Sequence, residues 1–222
     1  VSFVEDQAQA WREVRQLFED SHFFARPLET MDGPGATVES TARLRGWLQG
    51  MMSELEIGSM LDAACGDWNW MRLMDLTGVE YLGWDVDEGR IDRCQKRIVP
   101  PRANVRFEVA NLLTVPQIPK VDLILCRHML QHLPQNDLVA FVIDRFRESG
   151  STYLLTTTFP GADNSFEWDP YGSDHAWRGY FERSYDLTAP PFSLAHGEVF
   201  TEELGPGGIL TVPHQLALFT LN

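Results

Sequence analysis

"LDAACGDWNW" occupies residues 61–70. An apolar run leads into Asp62, Gly66 is the one glycine, and Trp68 and Trp70 follow at once. The stretch reads as a buried strand that turns tightly after Asp62. Dinucleotide folds place several glycines in this turn so that a pyrophosphate can approach the backbone. Here Ala64 and Trp68 stand where further glycines would sit. Asp62 and Asp67 add negative charge beside the turn, which repels a pyrophosphate and suits a cationic ligand. Asp85 ends the next apolar run, 85 − 62 = 23 positions on. An acidic side chain there accepts ribose hydroxyls. The expected ligand is a nucleoside bearing positive charge.

Outward from this turn, short apolar runs alternate with helical segments. "SMLDAAC", "EYLGWDV", "VRFEVA", "KVDLILCR" and "STYLLTTTF" read as strands, and residues 68–77, 87–97 and 135–147 as helices. The alternation predicts an α/β, Rossmann-like, doubly wound parallel sheet. "RSYDL" and "QLALFTL" read as two closing strands, with the "PP" and "GPGG" segment as a long connection between them. Before the core, residues 3–19 and about 38–56 fit amphipathic helices. We read 1–222 as a single domain: a helical cap over 1–56, a core over 57–160, and a substrate loop with closing strands over 160–222.

The 222 residues carry 32 Asp and Glu against 18 Lys and Arg, a net charge of −14. That surface disfavours a nucleic-acid partner. Cys65, Cys94 and Cys126 form no CxxC pair, so a disulfide framework or zinc ribbon is not expected. No apolar stretch reaches membrane-spanning length, and the mixed, acidic start lacks a signal-peptide pattern. The expectation is a cytoplasmic protein without a membrane partner. A homodimer is left open.

The motifs resemble the class I S-adenosylmethionine-dependent methyltransferases. "LDAACGDWNW" resembles their first motif, "YLGWDVD" their second, "FEVANLL" their third and "VDLILCRHMLQHLP" their fourth, in order over roughly residues 55–160. The resemblance implies a seven-stranded sheet with the last strand antiparallel, and S-adenosylmethionine as cofactor. Its ammonium and sulfonium meet the charge requirement of the turn. Carried over residue by residue, the cofactor contacts fall on Asp62, Ala63, Gly66, Trp68, Trp70, Asp85, Val86, Asn111, Leu112, Cys126 and Arg127. Ala64 departs from a usual glycine, and Asn111 from a usual Asp, although its amide can still bond an adenine edge. "GDWNWM", "LILCRHMLQHL", "YLLTTTFPG" and "LTAPPFSL" also resemble a narrower group of small-molecule methyltransferases. That group includes an actinobacterial sugar O-methyltransferase of methylmannose polysaccharide synthesis.

Methyl transfer to a hydroxyl is an in-line displacement that also releases a proton, so a base helps. His128 follows the fourth strand, where the family's loop faces the sulfonium, and is the candidate base, with an ordinary pKa near neutrality. A loop histidine bonding the backbone is the competing reading. His132, four residues on, reads as packing, and Cys126 as a plain strand cysteine. Trp68 and Trp70 could face the cofactor, and for Trp70 packing of a helix on the sheet is at least an equal reading. Trp168, Tyr171, His175, Trp177, Arg178 and Tyr180 suggest a wall on which a sugar stacks. Asp163, Asp169 and Asp174, with Glu167, are weaker candidates for holding Mg2+. The leading expectation is an O-methyltransferase of a small saccharide acceptor. The competitors are an RNA or protein methyltransferase and a non-catalytic cofactor-binding subunit.

Overall fold

The computed structural model describes residues 29–133, 135–165, 183–202 and 214–221. Its sheet has seven strands: β1 (Ser59–Ala63), β2 (Glu80–Asp85), β3 (Val105–Val109), β4 (Leu123–Cys126), β5 (Tyr153–Thr158), β6 (His196–Glu202) and β7 (His214–Thr220). Their order is β3-β2-β1-β4-β5-β7-β6. The first five pair in parallel, and β7 runs antiparallel to both β5 and β6. The predicted seven strands and reversed last strand are therefore present.

Period-two alternation sends the side chains of the central strands to opposite faces. Leu61, Ile124 and Leu154 meet Leu138, Val142 and Phe146 of helix α3 (Asn136–Glu148) on one face. Met60, Leu123 and Leu125 meet Leu44, Leu48 and Met52 of helix α1 (Ala42–Glu54) on the other. Between β2 and β3 lies helix α2 (Glu88–Arg97). Asp87 caps it by accepting from the Arg90 amide at 2.9 Å, and Lys96 and Arg97 complement the dipole of its last turn. The carboxyl edge of this sheet is where β1, β2, β4, β5 and β6 end and β7 begins.

Two predicted elements differ. Residues 68–77 form no α-helix, only a short 3-10 turn at Met71–Leu73. Gly66 and Trp68 both take left-handed backbone, φ 57°. The Asp67 carboxylate accepts the Asn69 amide at 3.2 Å, a local turn that competes with helix. "RSYDL", residues 183–187, is not a strand. Tyr185 O instead accepts from Phe159 N at 2.9 Å, and Leu187 N donates to Thr158 Oγ1, so this segment caps the end of β5. The sixth strand is His196–Glu202, within the stretch read as a connection. The helix expected at 3–19 lies outside the described residues.

Candidate functional site

The first turn is built at the end of β1. Ala64 N and Cys65 N both donate to Trp84 O, at 2.9 and 2.8 Å, which binds the turn to β2. Gly66 N donates to Asp85 Oδ2 at 3.1 Å, and Asp87 N to Asp85 Oδ1 at 2.9 Å. Asp85 thus lies at the mouth of the turn. Burial raises its pKa above the ordinary carboxylate value, against the pull of Arg90 and the two amides. Asp62 is buried at the end of β1 and accepts from Tyr81 Oη at 2.6 Å. Burial pushes it up to about 7, although the Tyr81 hydrogen bond opposes this; nearby Asp85 adds to the rise. Two carboxylates are held here in surroundings that disfavour their charge, a condition that a cation relieves.

A segment preceding α1 covers the turn. Asp32 Oδ2 accepts from Asp67 N and Oδ1 from Arg90 Nε, both at 2.6 Å. Asp67 was expected to add charge for the ligand, and the structure corrects that. Its side chain is fully buried and accepts from Thr30 Oγ1 at 3.1 Å and Met31 N at 2.9 Å. It also pairs with Arg97 at 3.0 Å and Arg93 at 3.5 Å. Its charge ties the covering segment to α2.

The remaining cofactor candidates separate by exposure. Val86 is 48% exposed at the mouth of the turn, as an apolar wall for a flat base would be. Ala63, Leu112 and Cys126 are buried. Burial drives the Cys126 thiol well above its ordinary pKa, so it is no nucleophile. Asn111 Oδ1 accepts from its own Leu113 N at 2.9 Å, which fixes the side chain at the end of β3. Trp68 is 1% exposed and packs edge-on against Phe107, ring centroids 5.1 Å apart. It belongs to the core beneath the turn, not to a ligand face. Trp70 lies under the Arg127 guanidinium, 5.6 Å from its centroid.

Beyond β4 a second group converges. His128 takes left-handed backbone, φ 54°, and its amide donates to Thr157 Oγ1 at 2.9 Å. Its Nδ1 lies 3.0 Å from Gln131 Nε2, and its Nε2 lies 3.2 Å from Glu202 Oε2. His214 Nε2 lies 3.5 Å from the same oxygen, and the two imidazoles meet edge to face at 4.9 Å. Glu202 and His214 are register partners across β6 and β7. Arg127 Nε and Nη2 hold Glu202 Oε1 at 2.9 and 2.6 Å, while Nη2 also reaches Gly35 O at 3.0 Å. Burial, then Arg127, pushes the His128 imidazole down to about 4, against the opposing pull of Glu202. The near-neutral value expected from sequence is corrected accordingly. Burial raises Glu202, but Arg127 and the two facing imidazoles outweigh it and hold the carboxyl well below its usual range.

His132 lies in a 3-10 turn, Leu130–His132, so it does not share an α-helical face with His128. Asp163 is exposed and accepts from Ser165 N and Oγ at 2.8 and 2.6 Å, a local turn rather than a metal ligand set. Asp169, Asp174 and Glu167, and the aromatic wall of Trp168, Tyr171, His175, Trp177, Arg178 and Tyr180, lie outside the described residues. Sequence reasoning missed Asp32, Arg90, Glu202 and His214. No local motif marks them, because each meets the site only through the folded sheet.

Residues 60–147 match the family described as methyltransferase domain. No curated protein sequence matches the chain. The N-methyltransferase NodS from Bradyrhizobium japonicum WM9, in complex with S-adenosyl-L-homocysteine, aligns with TM-score 0.64 and 14% identity, covering 93% of this chain and 97% of that one. Magnesium protoporphyrin IX methyltransferase from Synechocystis PCC 6803, with bound S-adenosylmethionine, aligns with TM-score 0.60 and 13% identity, over 96% and 92%. The methyltransferase domain of bacterial CtHen1 aligns with TM-score 0.57 and 18% identity, over 84% and 100%. The fold is that shared by these methyltransferase structures, and the stretch that matches the methyltransferase-domain family runs from β1 to the end of α3.

Proposed function

We propose that this methyltransferase domain transfers the methyl group of S-adenosylmethionine to a hydroxyl of a small saccharide acceptor, of the methylated-mannoside type. The observation that carries the cofactor half is the pair of carboxylates, buried Asp62 and half-buried Asp85, around the Gly66 turn. In this reading Asp85 accepts the ribose hydroxyls. Val86 and Leu112 offer apolar sides for adenine, and Asn111 an amide at its edge. Asp62 balances the positive charge of the methionine portion. The net charge of −14 favours a small neutral acceptor over RNA.

The acceptor half rests on His128. It stands at the carboxyl end of β4 and offers an imidazole where the hydroxyl must lose its proton. Removing such a group costs ~10²–10⁴ in rate. The aromatic segment at 168–180 is proposed as the sugar-stacking wall. Incubation with methyl-labelled S-adenosylmethionine and a panel of sugars and phenols tests this directly. The expected product is an O-methylated saccharide. His128→Ala should lose most of that turnover while keeping affinity for S-adenosylhomocysteine, and His132→Ala should keep turnover. Label on a phenol, a nitrogen or a macromolecule, with none on any saccharide, would overturn the acceptor assignment.

A further inference from the structure

We propose that His128, Glu202 and His214 form a binding site for one divalent transition-metal ion, with a zinc-type His2Glu ligand set. His128 Nε2 and His214 Nε2 lie 3.2 and 3.5 Å from Glu202 Oε2. All three ligand atoms lie within 4.8 Å of one another. Ligands ~2.1 Å from a tetrahedral ion are about 3.4 Å apart, so both measured edges already have the right length.

Both imidazoles face Glu202 at ion-pair distance, yet the geometry at the central atoms is poor for a hydrogen bond. His128 Nε2 and Glu202 Oε2 are both buried, and neither has a hydrogen-bond partner. A simple hydrogen-bonded network would have turned an N–H toward that oxygen, because orphaned buried polar atoms are costly. An ion at their centre would satisfy both.

Their surroundings suit ligation. Arg127 holds Glu202 Oε1, which leaves Oε2 to bind as a single-oxygen ligand. Gln131 stands 3.0 Å from His128 Nδ1. With its amide turned over, its carbonyl accepts Nδ1–H, the tautomer that leaves the Nε2 lone pair to a metal. Glu202 and His214 are fixed opposite each other by the β6–β7 register.

The site rests on the functional reading above for its purpose, and it changes which group draws off the proton. Three protein ligands leave a fourth position for an acceptor hydroxyl. A hydroxyl bound there is acidified, as zinc-bound water is. Its proton passes to water, the oxygen bonds the methyl carbon, the carbon–sulfur bond breaks, and S-adenosylhomocysteine leaves as the neutral thioether.

The test uses the full chain without a histidine tag, stripped with chelator, loaded with ZnCl2 or CoCl2, and desalted. The proposal expects one ion per chain and, with cobalt, the visible bands of a four-coordinate site in the wild-type protein. Glu202→Gln and His214→Asn should weaken Zn2+ binding by at least ~10-fold, while His196→Ala, on the same strand as Glu202, leaves it unchanged. S-adenosylhomocysteine binding reports that each variant is folded. A wild-type chain that retains no ion, or variants that bind it as tightly as wild type, would overturn the site. If saccharide methylation persists in excess chelator, the metal is removed from the mechanism and the acceptor reading stands. If one ion binds but no hydroxyl is methylated, the site stands and the acceptor reading falls.

Discussion

A Cβ added to Gly66 would lie 2.0 Å from Asp32 Oδ2 and 2.6 Å from its carboxyl carbon, on backbone already at φ 57°. Both terms oppose any side chain. Gly66→Ala should cost about 1–3 kcal/mol from overpacking, plus about 1–2 kcal/mol from left-handed backbone. Gly78 shares a positive φ, 77°, but has open space, so Gly78→Ala carries only the backbone cost. Thermal melting of both variants checks the difference; equal losses would show that Asp32 does not restrict the turn. Asp62 supplies a pH signature. Its folded value, about 7, lies above the ordinary 3.8, so the native chain holds that proton more tightly than the unfolded chain. Its contribution is therefore lost as pH rises from about 4 through 7. Asp62→Asn, which still accepts from Tyr81, should gain stability relative to wild type across that window, up to roughly 4 kcal/mol. Parallel stability–pH curves for the two proteins would contradict the assignment. The turn itself was legible from sequence through Asp62, Gly66 and Asp85. Asp32 was not, because it reaches Gly66 across the fold from outside every recognised motif.

At the scale of elements, β1 to β5 are short apolar runs that period and flanking turns reveal. Residues 68–77 mislead because their apolar spacing serves core packing by Trp68, Trp70 and Met71 without a helix. β6 hides for the opposite reason. It is an edge strand, mostly exposed or half-exposed, and "HGEVFTE" has no apolar run. With β6 unread, Glu202 could not be placed beside His128. The segment over the first turn is likewise held by polar contacts. Asp67 is the centre of these, joining Thr30, Met31, Arg93 and Arg97. Breaking a buried pair leaves the surviving charge uncompensated, at about 3–5 kcal/mol. Asp67→Ala should show that loss in urea unfolding and should weaken S-adenosylhomocysteine binding. A loss confined to stability would separate the covering segment from cofactor capture.

For the whole molecule, the sheet order brings the ends of β1, β2, β4 and β6 and the start of β7 to one edge, with the Gly66 turn and the His128–Glu202–His214 group side by side. Arg127 bridges them, touching Glu202, Gly35 and the face of Trp70. Arg127→Ala should therefore disturb both halves, lowering turnover and cofactor affinity together, whereas His128→Ala lowers turnover alone. The Gly66 turn is expected to take S-adenosylmethionine and not a dinucleotide. Calorimetric titration of the wild-type chain and Asp85→Ala with S-adenosylhomocysteine and with NAD tests it most directly. Saturable S-adenosylhomocysteine binding to wild type, marked weakening in Asp85→Ala without unfolding, and no heat from NAD are the expected results. Tight NAD binding with no response to S-adenosylhomocysteine would contradict it.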